Sequence, residues 1–344
     1  MAKRPTIADL AREADVSVAT VDRVLNGRAK VRQDTAKRVY DAARAIGYHG
    51  VSLLEQRIFE ELPELRVGFV FQKEKQAFYK AFHKAAEDAA ARATGIRAKA
   101  IIRYTSGQTP GDFVEQMELL APDVHALAST AVTHVDLGDA VHRFQAAGKP
   151  CFALLNDFAQ GIRRSYIGLN NIQVGRIAAH MASTAARRSG KVAIFVGGYR
   201  WHGHELRETG FRSYFREYAP QFEILNTLVN LETRQLTYEA TLDLLNRHPD
   251  LVAIYCAGGG MEGAIAALRE VRKPREVSLI VNELTPESRR ALADRYVELV
   301  IGTPLDQVCD DLFALARKVI EDSDDMPPAQ HFLSPNLFLP ESIA

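Results

Sequence analysis

From Leu65 onward, short apolar runs alternate with amphipathic helical stretches, and this alternation constrains the fold most. The apolar runs are predicted strands at 65–71, 97–103, 124–128, 150–155, 191–196, 223–228, 251–256, 277–281 and 297–301. Predicted helices lie between most of them, for example at 78–93, 172–187, 203–217, 234–247, 261–271 and 305–320. Strands separated by helices are typical of parallel sheets buried on both faces. About nine strands in 344 residues are too many for one core, so we predict two α/β lobes.

The N-terminal segment has a different pattern, because its apolar residues repeat every three or four positions from Thr6 to Ile46. Thr6 is a predicted helix N-cap, and Ser17 is a second one after a turn at 14–16. Two short helices joined by a tight turn form a helix-turn-helix, whose second helix lies in the major groove of DNA. The alternative is an ordinary three-helix bundle whose Arg23 is simply solvated.

Charge and composition narrow the class of protein. Residues 1–57 hold eleven Lys/Arg and seven Asp/Glu, while the whole chain has a formal net charge of +0. This distribution favours one small DNA-binding module over a chain that coats nucleic acid. The three cysteines show no metal-binding spacing, and no apolar run reaches membrane-spanning length. We therefore expect a soluble cytoplasmic protein with no membrane partner, no cofactor and no metal site.

The start of the second predicted helix carries the side chains that suit DNA. Small residues there allow the backbone to approach the bases, and the hydroxyls of Ser17 and Thr20 suit phosphate oxygens. Arg23 lies one turn further on the exposed face and can pair with guanine O6 and N7.

The segment TIADLAREADVSVATVDRVLNGRAKVRQDTAKRVYDAARAIGY, residues 6–48, resembles the headpiece of the LacI/GalR family of transcription regulators. The resemblance implies that Val18 and Ala19 read bases together with Arg23. It also implies that Ser17, Thr20 and Asn26 contact phosphates and that Tyr48 closes the headpiece. We include Thr6 among the DNA-binding candidates.

Several positions depart from the family pattern. Asp15 stands where the turn usually has Gly, and Asp tolerates a left-handed conformation better than most residues. Asp22 replaces a Ser, where a carboxylate either weakens phosphate binding or accepts a hydrogen bond from cytosine N4. Arg32 replaces the usual Ser cap of the third helix.

The connector, HGVSLLEQRIFEEL, lacks the Pro-Asn of the family's hinge. Arg57 falls where the family has a Leu that wedges into the minor groove. Leu53, Leu54 and Ile58 are nearby, and Leu54 or Ile58 in a dimer seam is the alternative. The pattern therefore does not single out one residue that wedges into the minor groove.

In the α/β part, the candidate ligand residues follow the predicted strands, because ligands bind at the carboxyl ends of parallel strands. They are Gln72 to Tyr79, Asn156 and Asp157, Gly197 to Arg207, the glycines after 251–256, and Asn282 and Glu283. This mixture of hydrogen-bonding and aromatic groups suits sugars, and no nucleophile with an adjacent base is evident.

The α/β part also resembles type I periplasmic sugar-binding proteins, the effector domain of the same family. The resemblance implies that Phe78 and Tyr79 form an aromatic pair and that Asn156 and Asp157 hold hydroxyls. It also implies ligand contacts by three further side chains, namely Arg207, Glu283 and, with a loose alignment, Thr303.

A run of three glycines, 258–260, replaces the family's Asn-Asp, which we expect to open the pocket at Gly258. Trp201, His202 and His204 are expected to compensate. Trp201 either stacks against the ligand or packs in the core. His202 and His204 are each expected to lie in the pocket or on the surface rather than to bind a metal.

One rival function comes from GGGMEG, 258–263, which contains the dinucleotide-binding pattern G-x-G-x-x-G and precedes an acidic residue, Glu283. This pattern would indicate an NAD-dependent enzyme. It leaves the helix-turn-helix unexplained and leaves little chain for a second nucleotide-binding half.

We therefore predict a non-enzymatic, homodimeric repressor that binds pseudo-palindromic operator DNA under the control of a sugar or polyol. A purine or phosphorylated effector, a co-repressor mode and a tetramer stay open. The predicted domains are a headpiece at 1–48, a linker at 49–63, and an effector domain at 64–344. Its first lobe takes about 64–160 and 286–321, and its second about 161–285 and 322–344.

Overall fold

The computed structural model describes residues 4–26, 31–51, 62–322 and 328–343. The chain divides into two compact units, Met1–Leu65 with Ala93–Lys99, and Arg66–Arg92 with Ala100–Ala344.

The N-terminal helices are α1 (Ile7–Glu13), α2 (Val18–Asn26) and α3 (Gln33–Ala45). Leu10, Val21 and Val39 are fully buried between them, and Tyr48 joins this cluster from beyond α3. Thr6 caps α1 as predicted, and with Asp9 it forms a capping box. The periodic apolar residues therefore form one small core of three helices.

The α/β part alternates strands and helices as predicted. Its strands are β1 (Glu64–Phe71), β2 (Arg97–Tyr104), β3 (Ala126–Ser129), β4 (Cys151–Leu154), β5 (Ser165–Leu169), β6 (Lys191–Val196), β7 (Glu223–Ile224), β8 (Leu228–Val229), β9 (Leu251–Cys256), β10 (Ser278–Asn282), β11 (Leu299–Gly302), β12 (Ala329–Leu333) and β13 (Asn336–Phe338). Its helices are α4 (Ala77–Arg92), α5 (Pro110–Leu120), α6 (Val135–Ala146), α7 (Asn171–Ala185), α8 (His202–Tyr218), α9 (Arg234–Arg247), α10 (Met261–Val271), α11 (Pro286–Ala293) and α12 (Leu305–Asp322). The predicted strand at 223–228 is two short strands, β7 and β8.

These strands form two sheets, which confirms the prediction of two α/β lobes. The first sheet has the order β12-β5-β4-β3-β1-β2, and the second has the order β13-β11-β10-β9-β6-β7, with β8 also beside β6. From β12 to β1 the first sheet is parallel, and in the second only the pairing of β13 with β11 is antiparallel. Each sheet is covered by helices and has a core of its own.

The chain crosses between the lobes at different points from those predicted. The first sheet includes β5 and β12, and the second includes β11 and β13, so the crossings follow Leu169, Gly302 and Leu333. Residues 161–169 and 329–333 therefore belong to the first lobe, whereas 286–302 belong to the second. The reason is pairing: β5 and β12 are stabilised by neighbours far away in the sequence, which local patterns do not show.

Two further observations bear on the class of protein. In the described part of the chain, no helix is long and apolar enough to cross a membrane. Cys151, Cys256 and Cys309 are buried free thiols.

Candidate functional site

Helix α2 has one buried face and one exposed face. Val21, Val24 and Leu25 are buried, whereas Val18 is 52% exposed in spite of its apolar side chain. Four other predicted DNA-contacting side chains are also exposed, namely Ser17, Ala19, Arg23 and Asn26. An exposed valine beside small and polar residues leaves a surface that a groove of DNA can cover.

Local hydrogen bonds organise this surface. The Ser17 Oγ accepts the Thr20 N–H at 3.1 Å and lies 2.8 Å from the Thr20 hydroxyl oxygen. Asn26 Nδ2 donates to the Asp22 carboxylate at 2.6 Å. Asp22 is therefore engaged within α2 and holds the Asn26 side chain along the helix.

The turn before α2 contains Asp15, which stands where the family usually has Gly. Asp15 has a φ of 51°, which lies in the left-handed region usually occupied by Gly. Arg32, at the start of α3, makes no side-chain capping bond. The hinge residues of the prediction, Arg57 with Leu53, Leu54 and Ile58, lie outside the described residues.

A second site is a cleft between the two lobes, with a cavity of about 120 Å³. Nine of the predicted effector residues line it: Gln72, Phe78, Tyr79, Asn156, Trp201, His204, Arg207, Gly258 and Glu283. The carboxyl ends of β1, β4, β6, β9 and β10 therefore meet at one site, as expected for parallel sheets.

The first-lobe wall is a chain of hydrogen bonds around Tyr79. Gln108 Nε2 donates to Gln72 Oε1 at 2.6 Å, and Gln72 Nε2 donates to the Tyr79 hydroxyl oxygen at 2.6 Å. Burial, followed by the charge of Glu232, raises the pKa of Tyr79, so its hydroxyl stays protonated. Phe78 lies beside it, with ring centroids 5.2 Å apart.

Asn156 and Arg207 are fastened by hydrogen bonds to other protein groups. Asn156 donates to the Ala131 carbonyl at 2.5 Å and accepts the Gly203 N–H at 2.8 Å. Arg207 donates from Nε to Asn171 Oδ1 and from Nη1 to the Ala257 carbonyl, both at 2.7 Å. The guanidinium is therefore oriented before any ligand arrives.

Glu283 is oriented by Thr303. The Thr303 N–H and hydroxyl donate to the two carboxylate oxygens at 3.0 Å and 2.7 Å. Burial raises the pKa of Glu283, although Thr303 and Arg207 act in the opposite direction. Thr303 is not among the cleft-lining residues, so its predicted ligand contact becomes an orienting role.

Asp157 also differs from the prediction. Its carboxylate accepts from Arg163 Nε at 2.5 Å and from Arg163 Nη2 at 2.8 Å, and it does not line the cleft. Arg163 in turn donates to the Ala329 carbonyl at 2.8 Å. Asp157 therefore helps to fasten β12 onto the first sheet, because a buried carboxylate takes the nearest guanidinium as its partner.

The three glycines do not open the pocket as expected. A Cβ on Gly258 would overlap the His204 ring, one on Gly259 would press on Glu232, and one on Gly260 would overlap Thr237. The space that the missing side chains leave is therefore filled by His204 and Glu232. Gly263 is needed because helix α9 approaches α10 at this point. Close packing thus accounts for the G-x-G-x-x-G pattern.

His204 is a neutral ring in this environment. Its Nδ1 accepts the Gly197 N–H at 3.1 Å, and its Nε2 lies 3.7 Å from Glu232. Burial, aided by Arg207 and Lys73, lowers the pKa of His204 to about 4, although Glu232 acts in the opposite direction. Trp201, 6.1 Å away by ring centroids, both lines the cleft and packs into the first-lobe core. His202 lies outside the lining.

Sequence reasoning missed several lining residues, among them Glu232 and Thr130, whereas it named Asn282 together with Glu283 as a residue after a strand. Both polar atoms of the Asn282 side chain and the Thr130 hydroxyl are buried with no hydrogen-bond partner among the described residues. Asn282 ends a strand, which is a readable signal. Glu232 follows the short strand β8. The sequence pattern does not separate β8 from β7, since it predicts a single strand at 223–228.

Comparisons with known proteins cover both parts of the chain. Residues 6–50 match the model for bacterial regulatory proteins of the lacI family, and residues 67–322 match a periplasmic binding protein domain. The HTH-type transcriptional regulator GalR of Escherichia coli K12 is 26% identical over 98% of this chain and 96% of its own length. GalS of Salmonella typhimurium is 24% identical over 83% of this chain and 82% of its own length.

Solved structures with the same fold include two solute-binding proteins of ABC transporters. The protein from Actinobacillus succinogenes, with bound D-allose, has a TM-score of 0.73 and 18% identity over 81% of this chain and 98% of its own. The protein from Burkholderia graminis, in complex with D-arabinose, has a TM-score of 0.73 and 18% identity over 81% and 96%. At this identity the likeness establishes the fold.

Proposed function

We infer that this chain is a repressor controlled by a small sugar or polyol. It belongs to the lacI family of bacterial regulatory proteins, and it is a DNA-binding transcriptional regulator rather than an enzyme. The DNA site is the exposed face of α2, and the effector site is the cleft between the lobes. As a regulator of bacterial genes it acts in the cytoplasm.

The observation that carries the effector class is the set of polar groups in the cleft. Among the residues that the structure describes, the Asn282 amide atoms and the Thr130 hydroxyl are buried without a hydrogen-bond partner, and an unpaired buried polar group costs about 1–3 kcal/mol. Hydroxyl groups of a sugar both donate and accept, so they can satisfy these atoms. Phe78 supplies an apolar face for the C–H groups of a sugar ring.

The charges of the cleft favour an uncharged effector over a phosphorylated one. Three carboxylates line it, Glu232, Glu262 and Glu283, and Arg207 is the one Lys or Arg among the lining residues described. Two of the Arg207 nitrogens already donate to protein oxygens. A phosphate would therefore be repelled more than it is attracted.

We place a homodimer on a pseudo-palindromic operator, since two headpieces related by a two-fold axis match two half-sites. Arg23, Val18 and Ala19 meet base edges, while Ser17, Thr20 and Asn26 meet phosphates. The effector changes operator affinity through its preference for one arrangement of the lobes, which is a coupling free energy of about 1–3 kcal/mol.

A thermal-shift screen of the full chain tests the effector class. The panel holds pentoses, hexoses, polyols, purines, sugar phosphates and NAD(H). A compound that binds only the folded state stabilises it by about 2.7 kcal/mol at a hundredfold excess over its Kd. We expect a shift with a neutral sugar or polyol, which should then change the affinity for operator DNA. A shift with NAD(H) or sugar phosphates alone would overturn the assignment.

Glu283→Ala tests the cleft with the compound so identified. Loss of the carboxylate leaves effector hydroxyls without an acceptor, so we expect the Kd to rise at least about tenfold. Titration calorimetry measures it, with Glu115→Ala on the surface of the first lobe as the control. An unchanged Kd would show that the effector binds elsewhere.

A further inference from the structure

An ion pair joins the two lobes next to the cleft. Lys73, directly after β1 in the first lobe, lies with its Nζ 2.7 Å from the Glu232 carboxylate of the second lobe. The two side chains are only 20% and 12% exposed. Lys73 Nζ also lies 3.5 Å from the Glu232 carbonyl oxygen. The two residues are 159 positions apart in the sequence, so the fold alone brings them together.

The surroundings of Glu232 are built to hold its carboxylate in this place. The Gly259 N–H donates to Oε1 at 3.3 Å, and the neutral His204 ring lies 3.7 Å away. A side chain at either Gly258 or Gly259 would displace His204 or Glu232. Lys73 and Glu232 both have a φ of 52°, a backbone conformation that L residues with side chains rarely adopt. Several unusual features therefore converge on one contact.

We propose that Lys73 and Glu232 form a latch that holds the lobes closed over the cleft, with Lys73 as the positioning residue for the ligand-facing Glu232 carboxylate. When the lobes separate, the pair is broken and Glu232 loses the positive charge beside it. Because an unpaired charge is strongly unfavourable while it stays buried, Lys73 allows the Glu232 carboxylate to remain buried in the closed arrangement. The inference rests on the proposed function only in treating this cleft as the effector site.

The test measures the separation of the lobes in the full chain without effector. Spin labels are attached to Glu115→Cys on α5 of the first lobe and Arg290→Cys on α11 of the second, both exposed positions. The three native cysteines are buried and do not compete for the label. Pulsed electron spin resonance then gives the distribution of distances between the two labels.

We expect a single narrow distance distribution for the labelled parent. Lys73→Met leaves the Glu232 carboxylate buried without a counter-charge, so a second population should reach at least about 10% of molecules. Glu232→Gln should also add a second population. The double variant Lys73→Met/Glu232→Gln has no unpaired charge and should resemble the parent more closely than Lys73→Met does.

Lys84→Met is the matched control, because Lys84 also forms a 2.7 Å ion pair, with Asp88, but within one helix of the first lobe. It should leave the distribution unchanged. A distribution for Lys73→Met that matches the control would overturn the latch, as would a double variant more open than both single variants. Neither result would touch the proposed function, which the thermal-shift and operator measurements test separately.

Discussion

The two candidate sites of this protein are built in opposite ways. On α2 the hydrogen bonds that arrange the surface join residues three or four positions apart, such as Ser17 with Thr20 and Asn26 with Asp22. In the cleft, Arg207 bonds to Asn171 and Ala257, which are 36 and 50 positions away. A surface made by one helix can be read from its own sequence, whereas the cleft depends on how distant elements pack.

The largest effect should come from breaking the packing that supports the cleft. A methyl group on Gly175 of α7 would overlap the Arg207 carbonyl oxygen of α8. We expect Gly175→Ala to lower the free energy of unfolding of the α/β part by about 3 kcal/mol, because overpacking forces the helices apart. Denaturant titration of the full chain measures it.

Gly138→Ala is the control, since Gly138 lies within α6 and a Cβ there would meet Ile162 at an ordinary 3.8 Å. It should raise stability by about 0.5–1 kcal/mol through helix propensity. A mild Gly175→Ala variant would mean that α7 and α8 can separate without cost.

The next largest effect is a dependence of the free energy of unfolding on pH, which arises from His204 in the cleft. Burial lowers the pKa of His204 from 6.5 in the unfolded chain to about 4 when folded. The unfolded chain therefore binds more protons between these values, so the free energy of unfolding falls as the pH is lowered from 6.5 toward 4, and the contribution is fully present above 6.5. The total loss is about 3 kcal/mol.

His204→Asn should remove this part of the pH dependence, and the difference between the two stability curves isolates it. The subtraction is needed because the raised pKa of Glu283 acts in the opposite direction. The same substitution at the exposed His142 is the control. Parallel curves for His204→Asn and the wild type would contradict a buried neutral ring.

Arg23→Ala should weaken DNA binding by α2 and leave the cleft unchanged. Loss of a guanidinium that pairs with guanine costs about 1–3 kcal/mol of operator affinity, or roughly tenfold to a hundredfold. Fluorescence anisotropy with operator DNA at fixed salt measures it, and Arg12→Ala on the exposed side of α1 is the control. Effector affinity should stay at the wild-type value. Equal losses on operator and unrelated DNA would assign Arg23 to phosphates instead.

The smallest effect tests the local character of the helical region. Thr6→Ala removes the capping box of α1, which should destabilise the N-terminal helices by about 1 kcal/mol. Thr6→Ser keeps the hydroxyl and should be close to wild type. Hydrogen exchange at the α1 amides separates this change from the stability of the α/β part. Faster exchange in the α/β part as well would mean that the two regions do not unfold independently.

Much of the cleft could be predicted because its residues follow apolar strands, as Gln72, Asn156 and Glu283 do. Asp157 has the same sequence signal as Asn156, yet Arg163, six positions later, takes its carboxylate. Glu232 follows a two-residue strand that gives no separate signal. Its ion-pair partner Lys73 lies 159 positions away in the sequence, so no local pattern connects the two.

The sequence by itself determined the helix-turn-helix and the alternation that makes two parallel sheets, because capping, helical periodicity and apolar runs act over a few residues. Only the tertiary structure decided where the chain crosses between lobes, and why glycines stand beside His204, Glu232 and Thr237. It also decided which of the predicted polar residues face the cleft. These features depend on pairing and close packing between distant residues, such as Arg163 and Ala329, which are 166 positions apart, and such contacts leave no mark on the neighbouring sequence.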